Sequence, residues 1–262
     1  MAPANSEHLC PRSTETPVRA LVIQDDRSAR VEERPTPTLE PNQFILRVTT
    51  IALNPAGASC AFGDADGSDW MTVSANSIGF RVGSDCVGVV EEVGSGVPAG
   101  VFEKGQRRAV LTSPNEHRGA FAEYIAVKYD DENWLVPDEV TDEQAATTPV
   151  PFFTAVLGLC GKTRLNVPQP SRDGQRSASG TIYVHAGSTS VGVYAIQLAK
   201  MAGLSVVASS SEHNWPVLRK LGADKTLDYR DPGLVDQVKK FSGGGVDYVF
   251  DCYTVRACAS SI

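Results

Sequence analysis

The sequence lacks several features that would place it in a class of protein at once. None of its apolar runs approaches the 18 or so residues of a membrane span, and its first 17 residues hold no apolar segment like that of a secretory signal. Its net charge is −7, and its 24 Lys and Arg residues form no cluster. We therefore expect a cytoplasmic protein that binds neither membrane nor nucleic acid, with a disordered leader over residues 1–17.

Patterns that bind metal or build disulfides are also missing. The chain has six cysteines, and no two of them are spaced as C-x-x-C. This argues against a structural zinc site and against a disulfide framework. We expect reduced thiols and no bound metal.

The pattern of apolar residues changes along the chain near residue 150. Residues 18–127 contain short runs in which apolar and polar residues alternate, separated by glycine turns, as in β-barrels and sandwiches. We predict strands at residues 18–23, 43–53, 85–93, 105–111 and 120–127. A helix over residues 142–160 should begin after Thr141 and be kinked or divided at Pro149 and Pro151.

Strands alternate with helices after residues 168–180, a stretch rich in proline, serine and glycine that predicts an exposed loop. The predicted strands cover residues 181–185, 204–208, 225–227 and 246–250, and the predicted helices cover residues 190–202, 212–221 and 234–241. This alternation is typical of βαβ units with a parallel sheet. We therefore predict an α/β protein with domains at residues 18–150 and 151–262.

A short turn joins the predicted strand that ends at His185 to the predicted helix that begins at Ser190. The turn and the start of the helix contain two glycines, Gly187 and Gly192, but not the full G-x-G-x-x-G spacing. The start of a helix offers unpaired amide hydrogens and the positive end of the helix dipole, and small residues let a diphosphate approach them. The turn predicts a dinucleotide site, although taken alone it is equally compatible with a structural role.

The strand that follows ends in the sequence Ser209-Ser-Ser-Glu-His-Asn214. NAD sites usually place Asp or Glu at this strand end to bind the ribose 2′-hydroxyl, and such an acid would repel the 2′-phosphate of NADPH. Hydroxyl and amide groups can instead donate to that phosphate. We expect NADPH rather than NADH, with Ser211, His213, Asn214 and Tyr229 as contacts. Ser211 is also a candidate helix cap, and the two roles are compatible.

Seven motifs, taken in order along the chain, resemble the zinc-free medium-chain dehydrogenase/reductase superfamily, which includes quinone oxidoreductases and enoyl reductases. They are Leu53-Asn-Pro55, Gly83-Ser-Asp85, Gly119-Ala-Phe-Ala-Glu-Tyr124, residues 146–154, Ala195-Ile-Gln-Leu-Ala-Lys200, Leu221-Gly-Ala-Asp224 and Asp228-Tyr229. The turn after His185, the Ser211–Asn214 tetrad and the 168–180 insertion are most similar to the trans-acting enoyl reductases of fungal polyketide biosynthesis.

This resemblance implies a catalytic domain of GroES-like β-fold followed by a Rossmann domain, with a cleft between them. It also implies an NADPH-dependent reductase that acts in trans on an α,β-unsaturated acyl thioester carried by a polyketide synthase. In that reaction a hydride reaches the β-carbon of the alkene, donors around the thioester oxygen stabilise the enolate, and a proton reaches the α-carbon.

The same resemblance assigns residues to the two ligands. The expected cofactor contacts are Ala56, Gly57, Ala58, Ser59, Ser188, Thr189, Ser190, Val191, Ser211, Glu212, His213, Asn214 and Tyr229. The expected acyl-chain contacts are Thr147, Thr148, Pro149, Val150, Pro151, Phe152, Phe153 and Thr154. No catalytic residue is assigned, because the positions of Tyr124 and His185 are more typical of packing and hydrogen bonding.

The chain departs from the family in two places. Gly57 and Ser59 stand where the pattern N-P-x-D-x-K has Asp and Lys, so a cationic contact to the nicotinamide end is missing. The family also continues past the position of Ile262, so we expect a C-terminally truncated, incomplete Rossmann sheet with about four of its roughly six strands. Two alternatives stay open: a general quinone or enal reductase, and a truncated chain that binds nucleotide without catalysis.

Overall fold

The computed structural model describes residues 16–26, 28–54, 78–113, 115, 118–170, 175 and 177–253. The chain divides into two compact units, Met1–Pro149 and Val150–Ile262, and each has its own hydrophobic core. No helix among the described residues is long and apolar enough to cross a membrane.

The first unit is built mainly of antiparallel strands. Its elements are β1 (Val18–Ile23), β2 (Ala29–Arg34), β3 (Gln43–Ala52), β4 (Asp85–Val93), β5 (Arg107–Leu111), β6 (Tyr124–Lys128), β7 (Asn133–Leu135) and the helix α1 (Asp142–Ala146). β1 pairs with β2, and the other strands form a five-stranded sheet in the order β6-β3-β4-β5-β7. All these pairings are antiparallel.

Burial of apolar side chains on one face explains why these segments form strands. Phe44 and Leu46 on β3 are fully buried with Val90 on β4, and the ring of Phe44 stacks on Phe102 with centroids 4.5 Å apart. α1 begins where predicted, because the Thr141 hydroxyl accepts from the amide of Gln144 and the Gln144 side chain accepts from the amide of Thr141.

Two strands of this unit were not predicted from the sequence. β2 carries four Arg and Glu residues, and its register with β1 is what holds it in place, because Glu32 faces Ala20 and Val31 faces Leu21 across the pair. β7 has only three residues and joins the edge of the sheet beside β5. β5 and β6 also begin two and four residues later than predicted.

The second unit alternates helices with parallel strands. Its elements are α2 (Pro149–Cys160), β8 (Thr181–His185), α3 (Ser190–Ala202), β9 (Ser205–Ser210), a 3-10 turn (Glu212–Asn214), α4 (Trp215–Lys220), β10 (Lys225–Asp228), α5 (Leu234–Ser242) and β11 (Tyr248–Asp251). The sheet order is β10-β9-β8-β11, and all three pairings are parallel. Together with the antiparallel first unit, this sheet confirms the predicted α/β fold class.

The strand order defines where a ligand can bind. β9 and β10 extend the sheet from one side of β8, and β11 adds on its other side. In open parallel sheets such a reversal leaves a crevice at the carboxyl ends of the strands, where ligands bind. The relevant carboxyl ends are those of β8, β9, β10 and β11.

The helices that frame this crevice begin and end for local reasons. α3 starts at Ser190 after the capping residue Thr189, and it stops where Gly203 adopts a left-handed conformation with φ of 108°.

The predicted bounds of β8 and α3 are confirmed to the residue. The predicted helix over residues 142–160 is divided into α1 and α2, as expected from its prolines.

Candidate nucleotide-binding site

The turn between β8 and α3 is fixed by hydrogen bonds on both sides. The amide and the hydroxyl of Thr189 donate to the carbonyl oxygen of Ala186, at 3.0 and 2.9 Å. The amide of Gly187 donates to the carbonyl oxygen of Ser209 on β9, at 2.8 Å. Ala186 adopts a positive φ of 52°, which is uncommon for a residue with a side chain. The turn is therefore held firmly against the end of the neighbouring strand.

The start of α3 keeps several amide hydrogens available. The Thr189 hydroxyl accepts from the amide of Gly192 at 3.1 Å, and the Thr189 carbonyl accepts from the amide of Val193 at 3.0 Å. The amides of Ser188, Ser190 and Val191 have no acceptor among the described residues. Three unpaired amides at the positive end of a 13-residue helix fit a diphosphate group.

The two glycines of this segment allow close packing of the turn. A Cβ atom on Gly192 would lie 2.7 Å from the carbonyl oxygens of Ala186 and Gly187. A Cβ atom on Gly187 would meet the core side chains of Ala208 and Ile196, both at 3.1 Å. Gly187 therefore lets the turn pack against the core, a role that does not depend on a bound diphosphate.

The tetrad Ser211–Asn214 follows β9 directly and forms the 3-10 turn. Glu212 and His213 are exposed, and Ser211 and Asn214 are half-buried. Neither the Ser211 nor the Asn214 side chain makes a capping hydrogen bond to the helical segment that follows it. The alternative in which the Ser211 hydroxyl caps a helix is therefore not what the structure shows.

Parallel pairing brings Tyr229 to the same edge of the sheet as the tetrad. Ser210 on β9 is the register partner of Asp228 on β10, so Ser211 and Tyr229 follow the ends of adjacent strands. Tyr229 is 47% exposed, which is unusual for a large aromatic side chain within a folded unit. The structure thus brings Ser188–Val191, Ser211–Asn214 and Tyr229 to the carboxyl edge of one sheet.

An ion pair that was not predicted from the sequence lies beside Tyr229. The Arg230 guanidinium donates to both carboxylate oxygens of Asp228, through Nε at 3.0 Å and Nη2 at 2.9 Å, and its Cζ atom lies 5.4 Å from the centre of the Tyr229 ring. Hydrogen bonding to Arg230 lowers the pKa of Asp228. The pKa of Arg230 is raised, chiefly by Asp228 and to a smaller degree by the charge of Glu212.

His185 takes part in a network of buried hydroxyl groups. The Tyr183 hydroxyl donates to the Ser209 Oγ at 2.8 Å, and the Nδ1 atom of His185 lies 3.1 Å from the same oxygen. Tyr183 and Ser209 are completely buried. His185 is therefore hydrogen-bonded within the unit, as its position before the turn suggested.

A thiol lies where the strand order reverses. The amide of Cys252, just after β11, donates to the carbonyl oxygen of His185 at 3.3 Å. Burial raises the pKa of the Cys252 thiol to about 12, against the opposing effect of a hydrogen bond with Thr189. This thiol is protonated at neutral pH, so it adds no charge beside Thr189.

The residues predicted to contact the acyl chain lie at the end of α1 and in the first two turns of α2. The Thr147 and Thr148 hydroxyls donate to carbonyl oxygens of α1, at 2.8 and 2.6 Å. Pro149 and Pro151 are buried, Val150 and Phe153 are half-buried, and Thr154 is exposed. The Phe152 ring packs edge-on against Tyr194 of α3 at 5.8 Å, one turn after the start of that helix.

Some predicted residues lie outside the described part of the chain. They are Ala56, Gly57, Ala58 and Ser59, so the predicted contacts after Asn54-Pro55 stay predictions. Within the described ranges, no group of three or more His, Cys, Asp or Glu residues is arranged to hold a metal ion.

A parallel sheet whose carboxyl edge lies beside unpaired amides at a helix start is typical of Rossmann-type nucleotide-binding proteins. The zinc-binding dehydrogenase family matches residues 190–262. A solved alcohol dehydrogenase superfamily protein from Novosphingobium aromaticivorans superposes with a TM-score of 0.73 at 25% identity, over 90% of this chain and 66% of that one.

Similar curated proteins identify the family to which this chain belongs. The zinc-type alcohol dehydrogenase-like protein of Schizosaccharomyces pombe is 38% identical over 89% of this chain and 65% of its own length. The trans-enoyl reductase ACTTS2 of Alternaria alternata is 37% identical over 89% of this chain and 64% of its own length. The chain thus spans just under two thirds of these two relatives.

A third relative is covered more fully. The trans-enoyl reductase TOXD of Cochliobolus carbonum is 31% identical over 92% of this chain and 77% of its own length. The chain belongs to the medium-chain dehydrogenase/reductase superfamily of oxidoreductases, and within it resembles the fungal trans-enoyl reductases. The fold of this superfamily implies a nicotinamide cofactor.

Proposed function

We propose that the second unit binds NADPH across the carboxyl ends of β8, β9 and β10. The unpaired amides of Ser188, Ser190 and Val191 support this proposal most directly, because they offer three donors to a diphosphate at the start of α3. The adenosine half of the cofactor would then extend toward Ser211–Asn214 and Tyr229, which follow the next two strands. When bound, the cofactor supplies the hydride for reduction.

The preference for NADPH over NADH rests on the end of β9. Ser209 and Ser210 are buried. Ser211, the first residue after the strand, is half-buried, and its hydroxyl makes no capping hydrogen bond. A hydroxyl at this place can donate to a 2′-phosphate, whereas a carboxylate would repel it. We expect Ser211, His213 and Asn214 to donate to that phosphate.

A charge placed at the end of β9 tests the preference. Ser211→Asp should weaken NADPH binding by about tenfold, through repulsion of the 2′-phosphate, and leave NADH binding nearly unchanged. Ser205→Asp is the matched control, because Ser205 is an exposed serine at the opposite end of the same strand. Calorimetric titration of each variant with both cofactors gives the two dissociation constants. Equal weakening of NADPH binding by both variants would contradict the proposed site.

The reaction that we propose is reduction of an α,β-unsaturated acyl thioester in trans, on the carrier of a polyketide synthase. The relatives named trans-enoyl reductases support this substrate class. Residues 147–154 would then meet the acyl chain through three threonine hydroxyls and the partly exposed side chains of Val150, Phe152 and Phe153, with Pro149 and Pro151 buried behind them. The Thr147 and Thr148 hydroxyl protons are engaged with carbonyl oxygens, so these two groups would face a ligand as acceptors.

An assay with a crotonyl thioester tests the reaction. We expect oxidation of NADPH, followed at its absorbance, that depends on the thioester and exceeds the rate with NADH. A general quinone or enal reductase would instead consume quinones briskly and leave the thioester untouched. That outcome would reject the enoyl reductase proposal while keeping the cofactor site, and binding without any turnover would reject both reactions.

A further inference from the structure

The rim of the proposed adenosine site carries two carboxylates and one guanidinium. Glu212 follows β9, whereas Asp228 and Arg230 lie at the end of β10. Ser210 and Asp228 are register partners, so Glu212 and Arg230 each lie two residues beyond paired positions on neighbouring strands. Tyr229, a proposed adenosine contact, lies under the Arg230 guanidinium. We refer to residues 212 and 228–230, at these two strand ends, as the rim cluster.

Without Arg230 this cluster would be unfavourable for a 2′-phosphate. Two carboxylates close to a phosphate repel it, and the serine-rich end of β9 alone supplies only neutral donors. Arg230 neutralises one carboxylate and reduces the effect of the other. Arg230 is the one positive charge in this cluster, and it changes the formal charge of the cluster from −2 to −1.

The hydrogen bonds of Arg230 leave it able to bind an anion. A guanidinium has five N–H donors, and Asp228 takes one from Nε and one from Nη2. Three N–H groups remain on the two terminal nitrogens. The Arg230 amide also donates to Asp228, at 2.9 Å, which fixes the backbone of the turn. Asp228 thus orients the side chain and leaves donors for a second acceptor.

We infer that Arg230, oriented by Asp228, binds the 2′-phosphate of the cofactor and determines the preference for NADPH. This inference rests on the proposed function. Asp228 is a positioning residue, and Glu212 weakens the preference that Arg230 creates.

Substitution of Arg230 tests the inference in the full chain. Arg230→Gln should weaken NADPH binding by about tenfold, because the 2′-phosphate loses a charged donor and meets carboxylates that are no longer neutralised. NADH has no 2′-phosphate, so its binding should stay unchanged or become slightly tighter. Arg230→Lys should retain part of the preference, since it keeps the charge and loses the two-point contact with Asp228. Glu212→Gln should tighten NADPH binding.

Lys200→Gln is the matched control. Lys200, at the end of α3, pairs with Asp224 at 2.6 Å, and Asp224 precedes β10 at the opposite edge of the sheet. This variant removes the same charge from the same unit and should leave the ratio of NADPH to NADH affinity unchanged. Thermal unfolding of each variant verifies that it folds.

The outcomes separate this inference from the proposed function. The unsubstituted chain could bind NADPH more tightly than NADH while Arg230→Gln keeps the same ratio of the two affinities. The proposed role of Arg230 would then be contradicted, and the proposed cofactor site would be retained. If the unsubstituted chain binds neither cofactor, the proposed function fails and this inference fails with it. A ratio of NADPH to NADH affinity that falls in Arg230→Gln and stays unchanged in Lys200→Gln supports the inference.

Discussion

Thr189 and Gly192 are joined by a hydrogen bond of 3.1 Å from the glycine amide to the threonine hydroxyl. The same hydroxyl donates to the carbonyl oxygen of Ala186 at 2.9 Å, so one side chain closes the turn and caps α3. Because Thr189 occupies the Gly192 amide, the amides left for a ligand are those of Ser188, Ser190 and Val191. The structural cap and the proposed phosphate contacts thus use different donors of the same helix end.

Removal of this cap should affect both stability and binding. Thr189→Ala should lower the free energy of unfolding by about 1 kcal/mol, the usual cost of losing an N-cap, and should also weaken NADPH binding. Urea unfolding and calorimetric titration measure the two effects. Thr141→Ala is the control, because Thr141 caps α1 in the first unit through a capping box. It should cost similar stability without changing the affinity for NADPH. Unchanged NADPH binding by Thr189→Ala would contradict the proposed role of the turn.

A methyl group at Gly192 should disturb the turn. Gly192→Ala places a Cβ 2.7 Å from two backbone oxygens, so the turn must shift, at a cost of roughly 1–3 kcal/mol in stability and with loss of NADPH binding. Gly245→Ala is the control, since a Cβ there meets nothing within 4 Å. We would measure thermal unfolding and NADPH affinity for both. A Gly192→Ala protein as stable as Gly245→Ala would show that the turn is looser than described.

The strained residue of the turn offers a stabilising substitution. Ala186 has φ of 52°, a conformation that costs an alanine about 1 kcal/mol and that glycine adopts freely. Ala186→Gly should therefore raise the free energy of unfolding by about 0.5 kcal/mol, after allowance for the greater freedom of glycine in the unfolded chain. Ala199→Gly, inside α3, should instead destabilise by about 1 kcal/mol. If both variants lose equal stability in urea, the conformation assigned to Ala186 is wrong.

The Cys252 thiol should make stability depend on pH in alkaline solution. Its folded pKa of about 12 lies above the ordinary thiol value near 9, so the unfolded chain loses this proton first. The stabilisation is complete below about pH 9, and it falls by roughly 1.4 kcal/mol per pH unit as the pH rises from there toward 12. Urea unfolding between pH 8 and 10.5 should show a shallower fall for Cys252→Ala than for the unsubstituted chain. Equal slopes would mean that the thiol titrates normally.

Local patterns in the sequence were sufficient for the elements that build the proposed site. β8 and α3 were predicted to the residue because the spacing of apolar residues changes between them from that of a strand to that of a helix. The division between α1 and α2 followed from prolines that helices tolerate only in their first turn. Nothing beyond the neighbouring residues was needed for these features.

Features that depend on distant residues were not predictable in the same way. β2 is a strand because Ala29–Arg34 pairs with β1, and its polar residues give no local signal. The packing role of Gly187 depends on Ala208 and Ile196, which come from β9 and α3. The cluster around Arg230 depends on the register of β10 with β9, although its position directly after Tyr229 could have drawn attention to it.

The most direct test of the account uses only the adenosine half of the cofactor. Calorimetric titration compares adenosine 2′,5′-bisphosphate with adenosine 5′-monophosphate, two ligands that differ by the 2′-phosphate alone. We predict tighter binding of the bisphosphate, by about tenfold or more, and loss of this difference in Ser211→Asp. Equal affinity for the two ligands, or no binding of either, would contradict a 2′-phosphate site at the ends of β9 and β10.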